Sequence, residues 1–257
     1  MKSFKVGMEA PTSSPRDILA GAIQRRHAIL FAGVIDGMHD GYQMLAEFYR
    51  RERGGIGPLR SWLDRNWKLA SERVAGSPLH KLIVELGFPA IYTTNYDRNL
   101  EAAFQFYKKP YAKIASAKDI ATAPDGLTHI IKYHGDFDDD SSLVLTETDF
   151  LNRLSFDSPL DIKFRADALG RTILFIGYSM SDPNIRLLLH RIWQIWEQSG
   201  HKDDRPRSFV FMPSQNPVQE ALLARWGITV LTPERGADID NALVAFLSDI
   251  QARMTAS

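Results

Sequence analysis

The sequence has 257 residues, of which 44% are hydrophobic and 24% charged, which suits a globular protein with room for one α/β domain. Its 31 Lys and Arg balance its 31 Asp and Glu, so it carries no basic footprint for direct nucleic-acid binding. The lack of cysteine excludes disulfides, thiolate zinc sites and a cysteine nucleophile, and no apolar run approaches the ~20 residues that span a membrane. The N-terminus has no signal-peptide core, so we expect a soluble cytoplasmic protein.

Strands and helices alternate along the chain after a loose N-terminal arm at residues 1–15. In chain order, the patterns predict helix 14–27, strand 28–33, helices 41–54, 58–76 and 77–87, strand 89–95, helix 96–107, strand 128–135, helix 146–155, strand 171–179, helix 184–198, strand 207–212, helix 217–227, strand 228–232 and helix 238–254. Several strands are apolar on both faces, which is typical of parallel strands covered by helices. The sequence therefore predicts an α/β fold with a doubly wound, Rossmann-like parallel sheet, in a single domain at 16–257 with a small helical lobe at about 41–86.

Four of the predicted strands end in glycines or polar side chains. They are Gly33 at the end of the first strand, Thr94, Asn95 and Asp97 at the end of the second, His134 at the end of the third, and Gly177 and Ser179 at the end of the fourth. Because parallel strands end at the same edge of a sheet, these residues are expected to converge where open α/β sheets bind their ligands. Their convergence predicts a functional site at this edge.

Each of these residues also has a purely structural interpretation. Asn95 could form a turn and Asp97 could cap the next helix, while His134 before a glycine could be a turn residue. Gly177 could simply permit tight packing, and residues 179–182 could cap the helix that follows. The residue types alone leave both interpretations open.

Three segments together resemble the SIR2 family, in particular the SIR2-like domains of bacterial antiphage systems. "TTNYDRNLE" (93–101) resembles the Thr-Thr-Asn-Tyr-Asp signature of that branch, and "IIKYHGDF" (130–137) resembles the strand that carries the family's His-Gly. "LFIGYSMSDPNIRLLL" (174–189) is similar to its Gly-Tyr-Ser…Asp-Pro block. The resemblance runs from about residue 16 to 250, and it implies the SIR2-type version of the predicted fold, with NAD as substrate.

The sequence departs from the family pattern in two ways. SIR2 deacylases usually carry a four-cysteine zinc module, and a chain without cysteine is expected to hold no zinc and no other metal. The family's first strand leads into Gly-Ala-Gly-x-Ser and a cofactor-binding loop, whereas "LFAG" runs directly into "VIDGMHDGYQ" here. Either this loop is deleted, or it has been left out of the sequence between Gly33 and Val34, and we favour the second explanation.

The resemblance implies a role for each candidate residue in cleaving the nicotinamide–ribose bond of NAD. Asn95 would orient the attacking water and the ribose, Asp97 would bind the nicotinamide carboxamide, and His134 would act as general base. An imidazole suits that role because its ordinary pKa is about 6.5. The other NAD-binding positions are Gly33 at the pyrophosphate, Thr94 within the same signature, and Gly177 and Ser179 beside the adenosine ribose.

We therefore expect an NAD hydrolase that serves as the NAD-depleting effector of a bacterial antiphage defence system. The alternatives are an NAD-dependent protein deacylase, a non-catalytic NAD or ADP-ribose sensor and, from the carboxylates at 136–140, a metal-dependent hydrolase.

An enzyme that destroys NAD must be silent until it is triggered, so the resemblance also implies a homo-oligomer and a partner defence protein, either ATPase- or helicase-like or Argonaute-like. The predicted helix at 185–198 carries an apolar band with two tryptophans. That band could pack on the sheet or form an oligomer contact.

Overall fold

The computed structural model describes residues 13–33, 41–67, 69, 71–178, 180, 182–234 and 236–256. Within them, the strands are β1 (Ala28–Ala32), β2 (Ala90–Thr93), β3 (Tyr111–Ile114), β4 (Thr128–Lys132), β5 (Thr172–Ile176), β6 (Ser208–Phe211) and β7 (Ile228–Leu231). They form one sheet in the order β3-β4-β2-β1-β5-β6-β7, and every neighbouring pair is parallel. The predicted doubly wound parallel sheet is confirmed.

Helices connect the strands. They are α1 (Pro15–Gln24), α2 (Gly41–Arg53), α3 (Gly57–Trp67), α4 (Ser71–Ala75), α5 (Pro78–Glu85), α6 (Asn99–Phe106), α7 (Ala117–Thr122), α8 (Glu147–Asn152), α9 (Pro159–Gly170), α10 (Pro183–Ser199), α11 (Pro217–Arg225) and α12 (Ile239–Thr255). Short 3-10 turns lie at Asp140–Ser142, Arg153–Ser155 and Lys202–Asp204. None of the helices in the described part of the chain has the length and apolar character of a membrane span.

The core lies on both sides of the sheet because successive strand residues point to opposite faces. One face, which includes Leu30 and Ile91, packs against α1, α5, α6 and α12. The other, which includes Phe31 and Tyr92, packs against α9, α10 and α11. Strands covered on both faces need apolar residues at every position, which explains the unbroken apolar runs in the sequence.

The apolar band of α10 belongs to this core. Ile185, Leu188, Leu189 and Ile192 are all buried, and they contact the face of the sheet that carries Phe31. The interpretation in which this helix packs on the sheet therefore accounts for most of the band, although Ile195 remains 44% exposed.

A third, smaller core joins α2 and α3 to the loops that follow β2 and β4. Ala46 and Leu63 from these helices are buried with Tyr96 and Phe137 from the loops. Val74 of α4 and Leu82 of α5 are buried in the main core instead. The division of the chain into an arm, a domain and a lobe at about 41–86 stays a prediction.

Several elements differ from those that the sequence predicts. The single helix predicted at 58–76 is divided into α3 and α4, while β3, α7 and α9 were not predicted. Strand β3 lies at the edge of the sheet, and among its four residues only Ile114 is buried, so it lacks the apolar run that marks the other strands.

Candidate functional site

The sheet has a switch point between β1 and β5. The chain leaves β1 toward β2 on one side, and it leaves β5 toward β6 on the other. Ligands of open α/β sheets bind in the crevice beyond the strand ends at such a point. The four strands whose ends carry the candidate residues are β4, β2, β1 and β5, which are parallel neighbours in this order and therefore end at the same edge of the sheet.

Two glycines cross at the centre of this edge. The Gly33 N–H donates to the carbonyl of Ile176 at 3.1 Å, and Gly177 has a φ of +57°. A Cβ on Gly177 would lie 2.3 Å from the Gly33 carbonyl oxygen, and a Cβ on Gly33 would lie 2.8 Å from the ring of Tyr178. Gly177 requires glycine, because its φ is positive and the Gly33 backbone leaves no room for a Cβ, whereas a side chain at Gly33 would collide with the ring of Tyr178.

A cleft of about 220 Å³ opens beside this crossing, and we call it the strand-end cleft. Its lining comprises the strand-end residues Ala32, Gly33, Thr93, Asn95, Asp97, Ile176 and Gly177, with Leu79, His80 and Ile83 of α5, Asn99 and Leu100 of α6, and Leu243 of α12. A larger cavity of about 470 Å³ lies beside β7 and contains none of the predicted site residues. The strand-end cleft is the better candidate because it lies at the switch point.

The loop between β2 and α6 is fixed on both sides of Asn95. The Thr93 hydroxyl accepts the Asn95 N–H at 3.1 Å, and Asp97 Oδ1 accepts the Asn99 N–H at 2.9 Å. Tyr96 points away from the cleft into the third core, where its hydroxyl donates to the Val144 carbonyl at 2.6 Å. Asp97 therefore binds the start of α6 from the position before the N-cap, which is Arg98, while also lining the cleft.

A buried ion pair at the end of β4 supports the same loop. Lys132 at the end of β4 is 1% exposed, its Nζ donates to the Asp97 carbonyl, and it lies 3.5 Å from Glu101 Oε1. Burial raises the pKa of Glu101, an effect that the nearby Lys132 ammonium opposes. The loop that carries Asn95 and Asp97 thus rests on a charged group with almost no contact with water.

His134 lies against α8 and α10. It is 5% exposed, and its ring forms a T-shaped contact with Phe150, with the two ring centroids 5.1 Å apart. Its Nε2 lies 3.2 Å from Asp182 Oδ2. Neither atom of this close pair has an aligned hydrogen-bond partner among the described residues. Burial tends to raise the pKa of Asp182, but contacts with His134 and the backbone N–H of Asn184 outweigh it, so the pKa lies below its ordinary value.

The structure brings only part of the predicted site together in one cavity. Four predicted residues line the strand-end cleft, namely Gly33, Asn95, Asp97 and Gly177. Thr94 lies next to Gly33, with its hydroxyl 3.4 Å from the position of a Cβ there, whereas His134 is not among the lining residues. Ser179 and the junction of Gly33 with Val34 lie outside the described residues.

Two further residues were not predicted as parts of the site. His80 lines the cleft from α5, and the sequence gives no sign of this because His80 occupies an ordinary position in a helical pattern. Asp182 was interpreted only as a helix cap, and that role is confirmed because its Oδ1 accepts the Asn184 N–H at 2.8 Å. Its second oxygen faces His134, a contact that sequence spacing could not reveal.

Three of the four carboxylates at 136–140 are engaged in ion pairs, and the fourth, Asp139, accepts from Ser141. Asp136 and Asp138 both contact Lys113, at 2.9 and 2.6 Å, and Asp140 contacts Arg60 at 2.7 Å. Across the described ranges, no group of three or more potential ligands could hold a metal ion. The metal-dependent alternative thus finds no support in this cluster.

Comparisons with known proteins show which family and which relatives the chain is similar to. The family model described as a SIR2-like domain matches residues 89–231. A relative named NAD(+) hydrolase ThsA, from Enterococcus faecium, is 31% identical over 205 residues, which cover 68% of this chain and 42% of the relative. Another ThsA, from Acinetobacter baumannii, is 25% identical over 81% of this chain and 45% of its own length.

A Bacillus subtilis relative named Defense-associated sirtuin 2 is 28% identical over 57% of this chain and 14% of its own length. The chain spans less than half the length of each of these curated relatives. A solved structure of a mutant Sir2 homologue with ADP-ribose matches at a TM-score of 0.48 and 11% identity, covering 93% of this chain and 98% of that one.

Proposed function

This chain belongs to the SIR2-like domain family, and on that premise we propose that it is an NAD hydrolase that cleaves the bond between nicotinamide and ribose. The observation that carries the proposal is the strand-end cleft at the switch point of the sheet, with Asn95 and Asp97 in its wall. The relatives named NAD(+) hydrolase support the same activity.

The proposed chemistry needs groups that stabilise a developing ribose cation and direct one nucleophile. Breaking this bond gives an oxocarbenium-like sugar, as in glycoside cleavage. The amide of Asn95 orients the attacking water and the ribose, and Asp97 binds the carboxamide of nicotinamide. Gly33 and Gly177 leave the backbone bare for the approach of the nucleotide, with Thr94 next to Gly33. Ser179 stays part of the proposal as a contact of the adenosine ribose.

His134 completes the proposed site as the general base, with Asp182 beside its Nε2. Its exclusion from the cleft lining gives specific support to a second candidate, a sensor that binds NAD or ADP-ribose without cleaving it. The two candidates differ in whether the imidazole reaches the bound nucleotide.

The biological role that we propose is depletion of NAD in the cytoplasm during antiphage defence, as the relative named Defense-associated sirtuin 2 suggests. Control through a homo-oligomer, or through an ATPase-like, helicase-like or Argonaute-like partner, is part of the same proposal. Exposed apolar side chains on α2, among them Leu45 (61%) and Phe48 (62%), are compatible with such assembly.

The decisive experiment measures nicotinamide release from NAD alone, without an acyl peptide. We expect Asn95→Ala and His134→Ala each to lower the rate by about a hundredfold or more, the usual scale for a positioned acid–base group. Asn66→Ala and His201→Ala are matched controls, because both side chains are exposed and neither lines the cleft. Undiminished release in both site variants would refute the site assignment. Tight binding of NAD without any release by the unmodified protein would favour the sensor.

A further inference from the structure

We propose that His80 is a specificity-determining residue that donates a hydrogen bond from its Nε2–H to the carbonyl oxygen of the substrate's carboxamide. This inference rests on the proposed function, because it takes NAD as the ligand of the strand-end cleft. It adds to the expected site a residue from α5, an element outside the four strand ends.

The position of His80 is fixed by the packing of α5. Leu82, Ile83 and Val84 are buried in the main core and hold this helix against the sheet. His80 lies in the first turn, and with Leu79 it forms the wall of the cleft on this side. An imidazole placed here can reach a ligand without any movement of the helix.

The contacts of Ser77 are compatible with the tautomer that the proposal requires, in which Nδ1 accepts a hydrogen bond. Ser77 caps α5, and its Oγ accepts the backbone N–H of His80. The same Oγ lies 2.9 Å from His80 Nδ1. A hydroxyl that already accepts at its oxygen still has one proton to donate, and Nδ1 is the acceptor within reach. With Nδ1 accepting, the neutral ring carries its proton on Nε2, which is then free to donate into the cleft.

The electrostatics of the cleft agree with a neutral donor. Burial lowers the pKa of His80, and the carboxylate of Asp97 opposes this effect only in part. The lowered pKa favours the neutral ring, which offers a single N–H rather than a cation.

The cleft thus presents a donor and an acceptor in neighbouring positions. The imidazole of His80 supplies the N–H, and the carboxylate of Asp97 supplies oxygens that accept. A primary carboxamide has the complementary pair, because its NH₂ donates and its carbonyl oxygen accepts. Asp97 then binds the NH₂ and His80 binds the carbonyl, so that both halves of the amide are recognised.

The test compares His80→Phe, which keeps a ring but has no donor, with His80→Gln, which retains an N–H. We expect His80→Phe to lower kcat/KM for NAD about tenfold, the scale of one lost hydrogen bond, and His80→Gln to keep most of it. The affinity for ADP-ribose, which lacks nicotinamide, should stay within about twofold in both. The exposed His201→Phe is the matched control, and Ser77→Ala, which removes the partner of Nδ1, should give a smaller loss in kcat/KM than His80→Phe.

The acetylpyridine analogue of NAD separates the two halves of the amide, because it keeps the carbonyl but has no NH₂. The loss caused by His80→Phe should persist with this analogue, since His80 is assigned to the carbonyl. A change of less than about twofold with NAD, or an equal loss of affinity for ADP-ribose, would overturn the inference.

Failure of the proposed function would show itself in the unmodified protein rather than in the variants. If that protein binds NAD without releasing nicotinamide, the dissociation constants of NAD and ADP-ribose replace kcat/KM in the same comparison. If it binds no NAD at all, both the proposed function and this inference are refuted.

Discussion

The first prediction concerns the negative charge of Asp182, which lies beside His134. Asp182→Asn keeps an oxygen that can accept the Asn184 N–H at the start of α10, but it removes the negative charge 3.2 Å from the imidazole. On the proposed mechanism we expect kcat for nicotinamide release to fall at least about tenfold while KM for NAD stays nearly constant, since Asp182 does not line the cleft. Steady-state kinetics over a range of NAD concentrations measures both constants.

The matched control is Asp238→Asn, which makes the same chemical change at another helix cap. Asp238 Oδ1 accepts the Asn241 N–H at 2.9 Å at the start of α12, and this aspartate is exposed. The control should leave both constants unchanged. A normal kcat in Asp182→Asn, or a loss confined to KM, would show that the carboxylate does not position His134.

The sequence locates the site residues that lie at the ends of strands, but it does not reveal those that reach the site through a contact between distant elements. Asn95 and Asp97 could be placed because the periodicity shows where β2 ends and the parallel topology says which edge that is. His80 could not be placed, because nothing in a helical pattern says which turn of α5 faces the cleft. The contact of Asp182 with His134 joins residues 48 positions apart, and only the packing of α10 on the sheet creates it.

At the scale of elements, the ion pair of Lys132 and Glu101 joins β4 to α6. The two side chains are 1% and 5% exposed, so removing one charge leaves the other buried without compensation. We expect Glu101→Gln to lower the free energy of unfolding by about 3 kcal/mol, the usual cost of breaking a buried pair on one side. Urea-induced unfolding followed by circular dichroism measures this change.

The double variant Glu101→Leu with Lys132→Met separates the charge effect from the effect of packing. Replacing a buried pair by apolar side chains of similar size is often nearly neutral, so the double variant should recover most of the stability that the single one loses. It also loses the bond from Lys132 to the Asp97 carbonyl, so its affinity for NAD should fall even where its stability recovers. A double variant less stable than Glu101→Gln would mean that the pair itself stabilises the fold.

The elements that escaped prediction share a physical feature: their apolar residues are few or unevenly spaced. Helix α9 buries Leu160, Phe164 and Ala168, but it also buries the charged Asp161, whose carboxylate bonds Arg153 and the Tyr133 hydroxyl. A carboxylate on the buried side hides the apolar stripe from any periodicity count. The network nonetheless positions the end of β4, because Arg153 also donates to the Tyr133 carbonyl next to His134.

For the whole molecule, the doubly wound topology and the switch point follow from the alternation of apolar strands with helices, which the sequence displays almost without interruption. The third core is different. Helices α2 and α3 have one buried residue each, Ala46 and Leu63, while Phe48 and Trp62 are exposed. Their attachment depends on Tyr96 and Phe137 from two distant loops, a tertiary contact that composition does not indicate.

The stability of the whole chain should fall on acidification, and the shifted groups fix the sign. Bonds to Thr148 hold the pKa of Glu47 at about 2, and the pKa of Asp138 is lowered chiefly by its bond to Lys113. A carboxylate with a lowered folded pKa stabilises the fold above its unfolded value near 4 and loses that contribution as the pH falls toward 2. The half-buried His80, with its lowered pKa, adds a loss that begins as the pH falls below about 6.5. Glu101 acts in the opposite direction, because its raised pKa lets the folded state take up a proton first.

We therefore expect the thermal unfolding midpoint to decline slightly from pH 7 to 5 and more steeply from pH 4 toward 2, as measured by circular dichroism. Glu47→Gln should flatten the steep limb, because the neutral amide has no proton to take up there. His80→Gln should flatten only the shallow limb, since the two groups titrate in separate windows. Glu52→Gln, on the same helix, is the matched control, because it removes the same charge from a glutamate that is exposed to solvent. A midpoint that rises on acidification would contradict this prediction. It would mean that protonation of the buried Glu101 stabilises the fold by more than protonation of the paired carboxylates destabilises it.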